Sequence, residues 1–231
     1  MERIGNKVLV LCSGGLDSTV LLYTAIKLYG KENVHVVSMY YGQRHEKELQ
    51  CIAYHVRENW SEASYQHFNN ADLSMVFKLS KDTNPMLAND AEMPEGTYEE
   101  QGSVPATYVP FRNGLFLSYA TAIAYQLGCD AIAYGAHADD AAGAAYPDCT
   151  NLFIERMSQS IEAGTAGKVK LWAPWKFMTK AAVVRQGIEI GMTQDDFDHT
   201  WSCYEGGEKP CGKCATCLDR ISAFEGTGFR P

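Results

Sequence analysis

The 231-residue chain has no long apolar run. None approaches the roughly 20 residues that a bilayer-spanning helix requires, which excludes a helical membrane protein. A surplus of positive charge is also absent. Lys and Arg number 20 against 28 Asp and Glu, a formal net charge of −8 that disfavours a protein coating nucleic acid. The sequence carries no internal repeat and no low-complexity tract. Its first strand pattern starts at Val8, leaving no room for a signal peptide, so a cytoplasmic location is expected. No Gly-Lys-Ser or Gly-Lys-Thr triplet closes the glycine turn near the start, which excludes a Walker-type loop. At 46% hydrophobic residues, the chain can still bury the core of one sizeable α/β domain.

Strand and helix patterns alternate along the chain. Val8–Cys12 and Val34–Tyr41 read as buried strands, with Tyr65–Phe68, Ala131–Tyr134 and Lys170–Trp172 as shorter ones. Helical periodicity marks about 18–29, 46–60, 113–127 and 151–163, and Thr179 opens a further helix that runs to Ile190. Residues 81–107 break the rhythm with three prolines and six carboxylates, and are expected to form a mobile flap over a site. The alternation predicts an α/β fold with a doubly wound, mostly parallel sheet, its site at the carboxyl ends of the strands.

The first strand runs directly into Cys12-Ser13-Gly14-Gly15-Leu16-Asp17-Ser18. Gly14 and Gly15 permit a tight turn and close approach to a ligand. Ser13 and Ser18 supply hydroxyls, and the helix that follows presents free N–H groups to an anion. Bare, Asp17 would repel phosphate, so its chemistry suits an anchor for Mg²⁺; the alternative is a helix cap.

Of eight cysteines, Cys203, Cys211, Cys214 and Cys217 fall within fifteen residues as Cys-x₇-Cys-x₂-Cys-x₂-Cys. Four thiolates in one glycine-bearing loop are the ligand set of a structural zinc site, and a closed set leaves no position for water. An iron–sulfur cluster or a redox Cys-x-x-Cys pair remains open on spacing alone. The site is expected to pin a C-terminal segment too poor in apolar residues to hold itself, giving a boundary between residues 1–195 and 196–231.

The Ser13–Ser18 turn resembles the pyrophosphate loop of the N-type ATP pyrophosphatases, the adenine nucleotide α-hydrolase-like group that splits ATP into AMP and pyrophosphate. Four further segments narrow the resemblance: Tyr41-Gly42-Gln43-Arg44-His45, Tyr108–Asn113, Gly135–Asp140 with Tyr146–Cys149, and Trp201–Tyr204. In this order they are similar to the 7-cyano-7-deazaguanine (preQ0) synthase family. That resemblance implies an ATP-dependent carbon–nitrogen ligase acting on 7-carboxy-7-deazaguanine and ammonia through adenylated and amide intermediates. It implies ATP and Mg²⁺ at Cys12–Ser18, and catalytic roles for Asp17, Arg112 and His137. Substrate contacts are expected from Arg44, His45, Arg112, Asp139, Asp140 and Asp148, and structural zinc on the four clustered cysteines. A homodimer is implied by analogy, and no direct nucleic-acid contact is expected.

The chain departs from the family at Asp139, where relatives often carry glutamate, and in the small side chains of 141–145. A roomier pocket implies one alternative, a variant that stops at the amide. A second is a tRNA sulfur transferase built on the same loop, and a third is a non-catalytic nucleotide sensor.

Overall fold

The computed structural model describes residues 2–44, 46–60, 68–87, 91–100, 104–140 and 146–231. Five strands form one sheet: β1 (Val8–Leu11), β2 (Val34–Tyr40), β3 (Phe68–Asp72), β4 (Ala131–Ala133) and β5 (Lys170–Trp172). Their order is β3-β2-β1-β4-β5 and every pairing is parallel, as the alternation of patterns predicts. Parallel neighbours need crossovers, and helices supply them. Between successive strands lie α1 (Leu16–Tyr29), α2 (Lys47–Asn59), α3 (Arg112–Leu127) and α4 (Asn151–Gly164), and after β5 come α5 (Lys180–Ile190), α6 (Gln194–Asp198) and α7 (Ala215–Phe224).

Side chains alternate between the two faces of the sheet. Val8 and Val10 join Val34, Val36, Ala131 and Ala133 under α1, α2, α5 and α7. Leu9, Val37, Met39 and Ile132 face α3 and α4. Both faces are covered, which is why these strands read as continuous apolar runs. The order reverses at β1, between β2 and β4, and the crevice at such a reversal is where open α/β sheets bind ligands.

Three expectations change. Only Phe68 of the expected strand 65–68 lies within the described residues, and there it opens β3, whose position is set by pairing with Val36–Tyr40. The expected mobile flap is anchored: Met86, Leu87 and Met93 are buried with Tyr41, Phe77 and Val109. The Arg44 N–H donates to the Met86 carbonyl at 2.7 Å, and Asn84 Nδ2 donates to the Tyr108 carbonyl at 2.7 Å. The C-terminal segment also has its own apolar anchor. Ala223 and Phe224 on α7 enter the main core, where Phe197 meets Phe224 edge-on at 5.3 Å. Residue 195 lies inside α6.

Candidate active site

A cavity of about 250 Å³ opens at the carboxyl ends of β1, β2 and β4. At one end stands the Cys12–Ser18 turn. Gly14 has φ +94°, and a Cβ there would lie 2.0 Å from the Glu48 carbonyl oxygen, so only glycine fits. The turn is braced internally. The Ser13 N–H donates to Ser18 Oγ at 3.2 Å, the Gly15 N–H to Ser13 Oγ at 3.1 Å, and Ser18 Oγ–H to the Gly15 carbonyl at 3.2 Å. Cys12 and Leu16 are buried, so their contribution to a ligand would come through the backbone. No side chain caps α1 at Gly15, which leaves its positive end to face the cavity. Asp17 is therefore not a cap. It sits in the first turn with Oδ1 buried and unpartnered.

Around Asp17 the structure gathers residues from four elements. Its Oδ2 lies 3.6 Å from His137 Nε2 and 3.7 Å from Lys180 Nζ, the first residue of α5. His137 Nε2 is also 3.4 Å from Asp140 Oδ2, and Nδ1 is 4.0 Å from Asp139 Oδ2. Burial works against ionisation of Asp17, yet Lys180 and His137 together hold its carboxyl well below the usual range. Burial likewise opposes charge on His137, but Asp140 and Asp17 raise it to about 9, so the imidazolium persists at neutral pH. Burial raises Asp219, on α7, against the pull of Lys180. Carboxylates outnumber cations here, so a polyphosphate entering this end needs a divalent ion to offset them. The orphan Asp17 oxygen is a fitting ligand.

The other end is aromatic. Tyr41, Tyr98, Tyr134, Tyr146 and Tyr204 line it, and Arg112 lines the same cavity beside Tyr41. Tyr204 hydroxyl meets those of Tyr98 at 3.0 Å and Tyr146 at 3.4 Å. Burial pushes the Tyr98, Tyr134 and Tyr204 hydroxyls well up, so they stay neutral. Arg112 opens α3 directly after Phe111, whose left-handed φ of 57° turns the chain at that point. Its Nη1 donates to Tyr41 Oη at 3.0 Å, while Nε is buried without a partner.

The remaining expected site residues are placed elsewhere or differently. Asp148 is buried: its Oδ2 accepts the Asn113 N–H at 3.0 Å, tying down the start of α3, and burial raises its carboxyl. Asp139 Oδ2 accepts the Lys180 N–H at 2.6 Å, so it braces the start of α5. Asp140 lines the cavity. Arg44 points its guanidinium away, to the Ala91 carbonyl at 2.6 Å and to Glu205 at 3.8 Å. His45 and residues 141–145 lie outside the described residues. Lys180, Tyr98 and Asp219 escaped the sequence reading. A Thr179 cap locates the start of α5, but no local pattern ties its first lysine to a loop so far away in sequence.

Cys203, Cys211, Cys214 and Cys217 come together with their sulfurs all within 4.8 Å of one another. Cys211 and Cys217 Sγ are 3.9 Å apart. A tetrahedral ion with metal–sulfur bonds near 2.3 Å sets that edge at about 3.8 Å, so the set fits a metal. Among the described residues, no helix is long and apolar enough to cross a membrane.

Comparison with known proteins places the chain among relatives of one name. The family model described as "Queuosine biosynthesis protein QueC" matches residues 7–228. A 7-cyano-7-deazaguanine synthase from Colwellia psychrerythraea is 39% identical over 96% of this chain and 95% of its own length. Proteins of that name from Hahella chejuensis and Thermoplasma acidophilum are 38% and 37% identical, covering 96% and 99% of this chain and 90% of each relative. A solved 4-thiouridine synthetase–RNA complex with bound ATP aligns over 94% of this chain at 19% identity and TM-score 0.43; the chain spans 50% of its length.

Proposed function

The chain belongs to the queuosine biosynthesis protein QueC family, and from that premise we propose that it converts 7-carboxy-7-deazaguanine and ammonia to 7-cyano-7-deazaguanine at the expense of ATP. One observation carries the reading: a single cavity is lined by both the phosphate-binding turn and an aromatic set, where Arg112 is held against Tyr41.

The uncapped end of α1, with the N–H groups of Leu16, Asp17 and Ser18, would receive the pyrophosphate part of ATP. The tyrosine-lined end suits a flat, hydrogen-bonding heterocycle, whose carboxylate would meet the free Nε of Arg112. A carboxylate oxygen attacks the α-phosphorus as the bond to pyrophosphate breaks. Lys180 and protonated His137 stand beside Asp17 to offset the charge that develops on the departing group. Ammonia then attacks the acyl carbon, AMP leaves with the electron pair of the carbon–oxygen bond, and one proton is lost. A second ATP activates the amide oxygen in the same way, and loss of AMP and protons leaves the nitrile.

Mg²⁺, held by Asp17 with Asp140 beside it, would supply Lewis-acid charge to the phosphates. Zinc is the metal that best suits four closed cysteinates.

The test is a product mass spectrum after incubation with ATP, Mg²⁺, ammonium and the carboxylate. A nitrile is expected. Amide alone would mark a variant that stops halfway, and no conversion with either would overturn the reading.

A further inference from the structure

Segment 200–204 ties the four-cysteine cluster to the phosphate-binding turn. The Trp201 N–H donates to the Gly14 carbonyl at 3.1 Å, and a Cβ on Gly15 would lie 3.4 Å from the Trp201 carbonyl oxygen. On its other side Gly14 abuts α2, so the turn is held between that helix and Trp201.

Trp201 is held in turn from the cysteine cluster. Its indole Nε1–H donates to the Cys203 carbonyl at 2.7 Å, and Lys47 Nζ lies 4.4 Å from the ring centroid. Helix α7, which carries Cys217 and is entered through Cys214, grips the flanking residues. Thr216 Oγ1 donates to the Ser202 carbonyl at 2.8 Å. Buried Arg220 donates to Thr200 Oγ1 at 2.8 Å, Ser202 Oγ at 3.2 Å and the Phe197 carbonyl at 2.9 Å. A metal that draws the four sulfurs together fixes Cys203 relative to α7, and Trp201 with it.

We propose that the metal cluster positions the phosphate-binding turn through Trp201, so that metal occupancy sets affinity for ATP. The inference rests on the reading of Cys12–Ser18 as the ATP loop and adds to it a purpose for the cysteines beyond holding the chain end. Trp201 also lines the cavity, and the role inferred for it is that of a positioning residue acting on the turn through its backbone.

The first experiment uses the unaltered chain with and without its metal, removed by a chelator, and reads binding of a non-hydrolysable ATP analogue with Mg²⁺ by calorimetry. Removal is expected to weaken binding about tenfold or more. Amide exchange in a peptide covering residues 12–18 should rise together with that of 203–217. Faster exchange at 203–217 with unchanged exchange at 12–18 and unchanged affinity would overturn the proposal. If the metal-loaded chain binds no analogue at all, the ATP-loop reading itself fails, a distinct result.

In a second test, Trp201→Phe keeps the ring and removes the indole N–H. With metal still bound and the melting temperature within about 3 °C, KM for ATP should rise by about three- to tenfold while kcat changes less. An unchanged KM in that variant would count against the clasp.

Discussion

The two ends of the cavity are built in opposite ways. The phosphate end is local and charged: seven consecutive residues make the turn, and the side chains around it carry full charges of both signs. The aromatic end is dispersed and mostly uncharged, its five tyrosines drawn from positions 41 to 204, with burial keeping Tyr98, Tyr134 and Tyr204 neutral and Arg112 as its cation. A phosphate presents the same anion whatever it is attached to, so a contiguous loop suffices to hold it. A heterocycle must be read by shape and by hydrogen bonds in several directions, which calls for contributions from many elements. Damage to the charged end should therefore abolish turnover, whereas damage to the aromatic end should shift recognition.

The sharpest way to break this contrast is Asp17→Ala. It removes the proposed ion anchor and leaves Lys180 and His137 without their shared partner, so pyrophosphate release should fall by roughly 10³-fold with the circular dichroism unchanged. Near-normal turnover would dismiss the charged end as the seat of the chemistry. Next in size is Cys214→Ala, which deletes one of four ligands and the residue that enters α7. Metal content should drop below stoichiometric, with a loss of several kcal/mol in stability. A stable, metal-free and active protein would show the cluster to be dispensable.

A subtler separation comes from pH. His137 holds its proton more tightly in the folded chain, with a value near 9 against 6.5 for an ordinary histidine. Its contribution to stability is thus complete below about pH 6.5 and is lost as pH rises through about 9. An alkaline fall in thermal stability is expected, and His137→Gln should flatten it; an identical limb in the variant would place its origin elsewhere. The smallest effect belongs to the aromatic end. Tyr98→Phe removes one hydroxyl contact with Tyr204, worth about 1 kcal/mol. KM for the deazaguanine carboxylate should rise about fivefold with KM for ATP unmoved. Equal shifts in both would erase the distinction between the ends.

The same contrast explains what could be read from the sequence. β1, α1 and β2 were legible because buried parallel strands and a glycine turn leave contiguous signatures, and the four cysteines were legible through their spacing. The short α6 was overlooked although Thr193 and Asp196 form a capping box, because five residues are too few for a periodic apolar pattern. α7 begins beside metal-ligand cysteines and sends only Ala223 and Phe224 of its last turn into the main core, too few apolar residues to mark a periodic face. Asp139 and Asp148 each spend one oxygen on bracing a helix start, a role that depends on a distant backbone N–H, while Asp148 Oδ1 is buried without a partner. Lys180 and Tyr98 reach the cavity only through tertiary packing, which no window of sequence contains.

The sheet order has a consequence for synthesis. β1 leaves the ribosome before the other four strands of its sheet and becomes the central one, yet its second neighbour, β4, is made only after α3. In the nascent chain, Val8–Leu11 can pair with β2 while its other edge stays exposed. That edge is short, apolar and uncharged, the kind that pairs with foreign strands. A stalled or truncated chain ending before β4 should therefore be a preferred client for chaperones and a seed for aggregation.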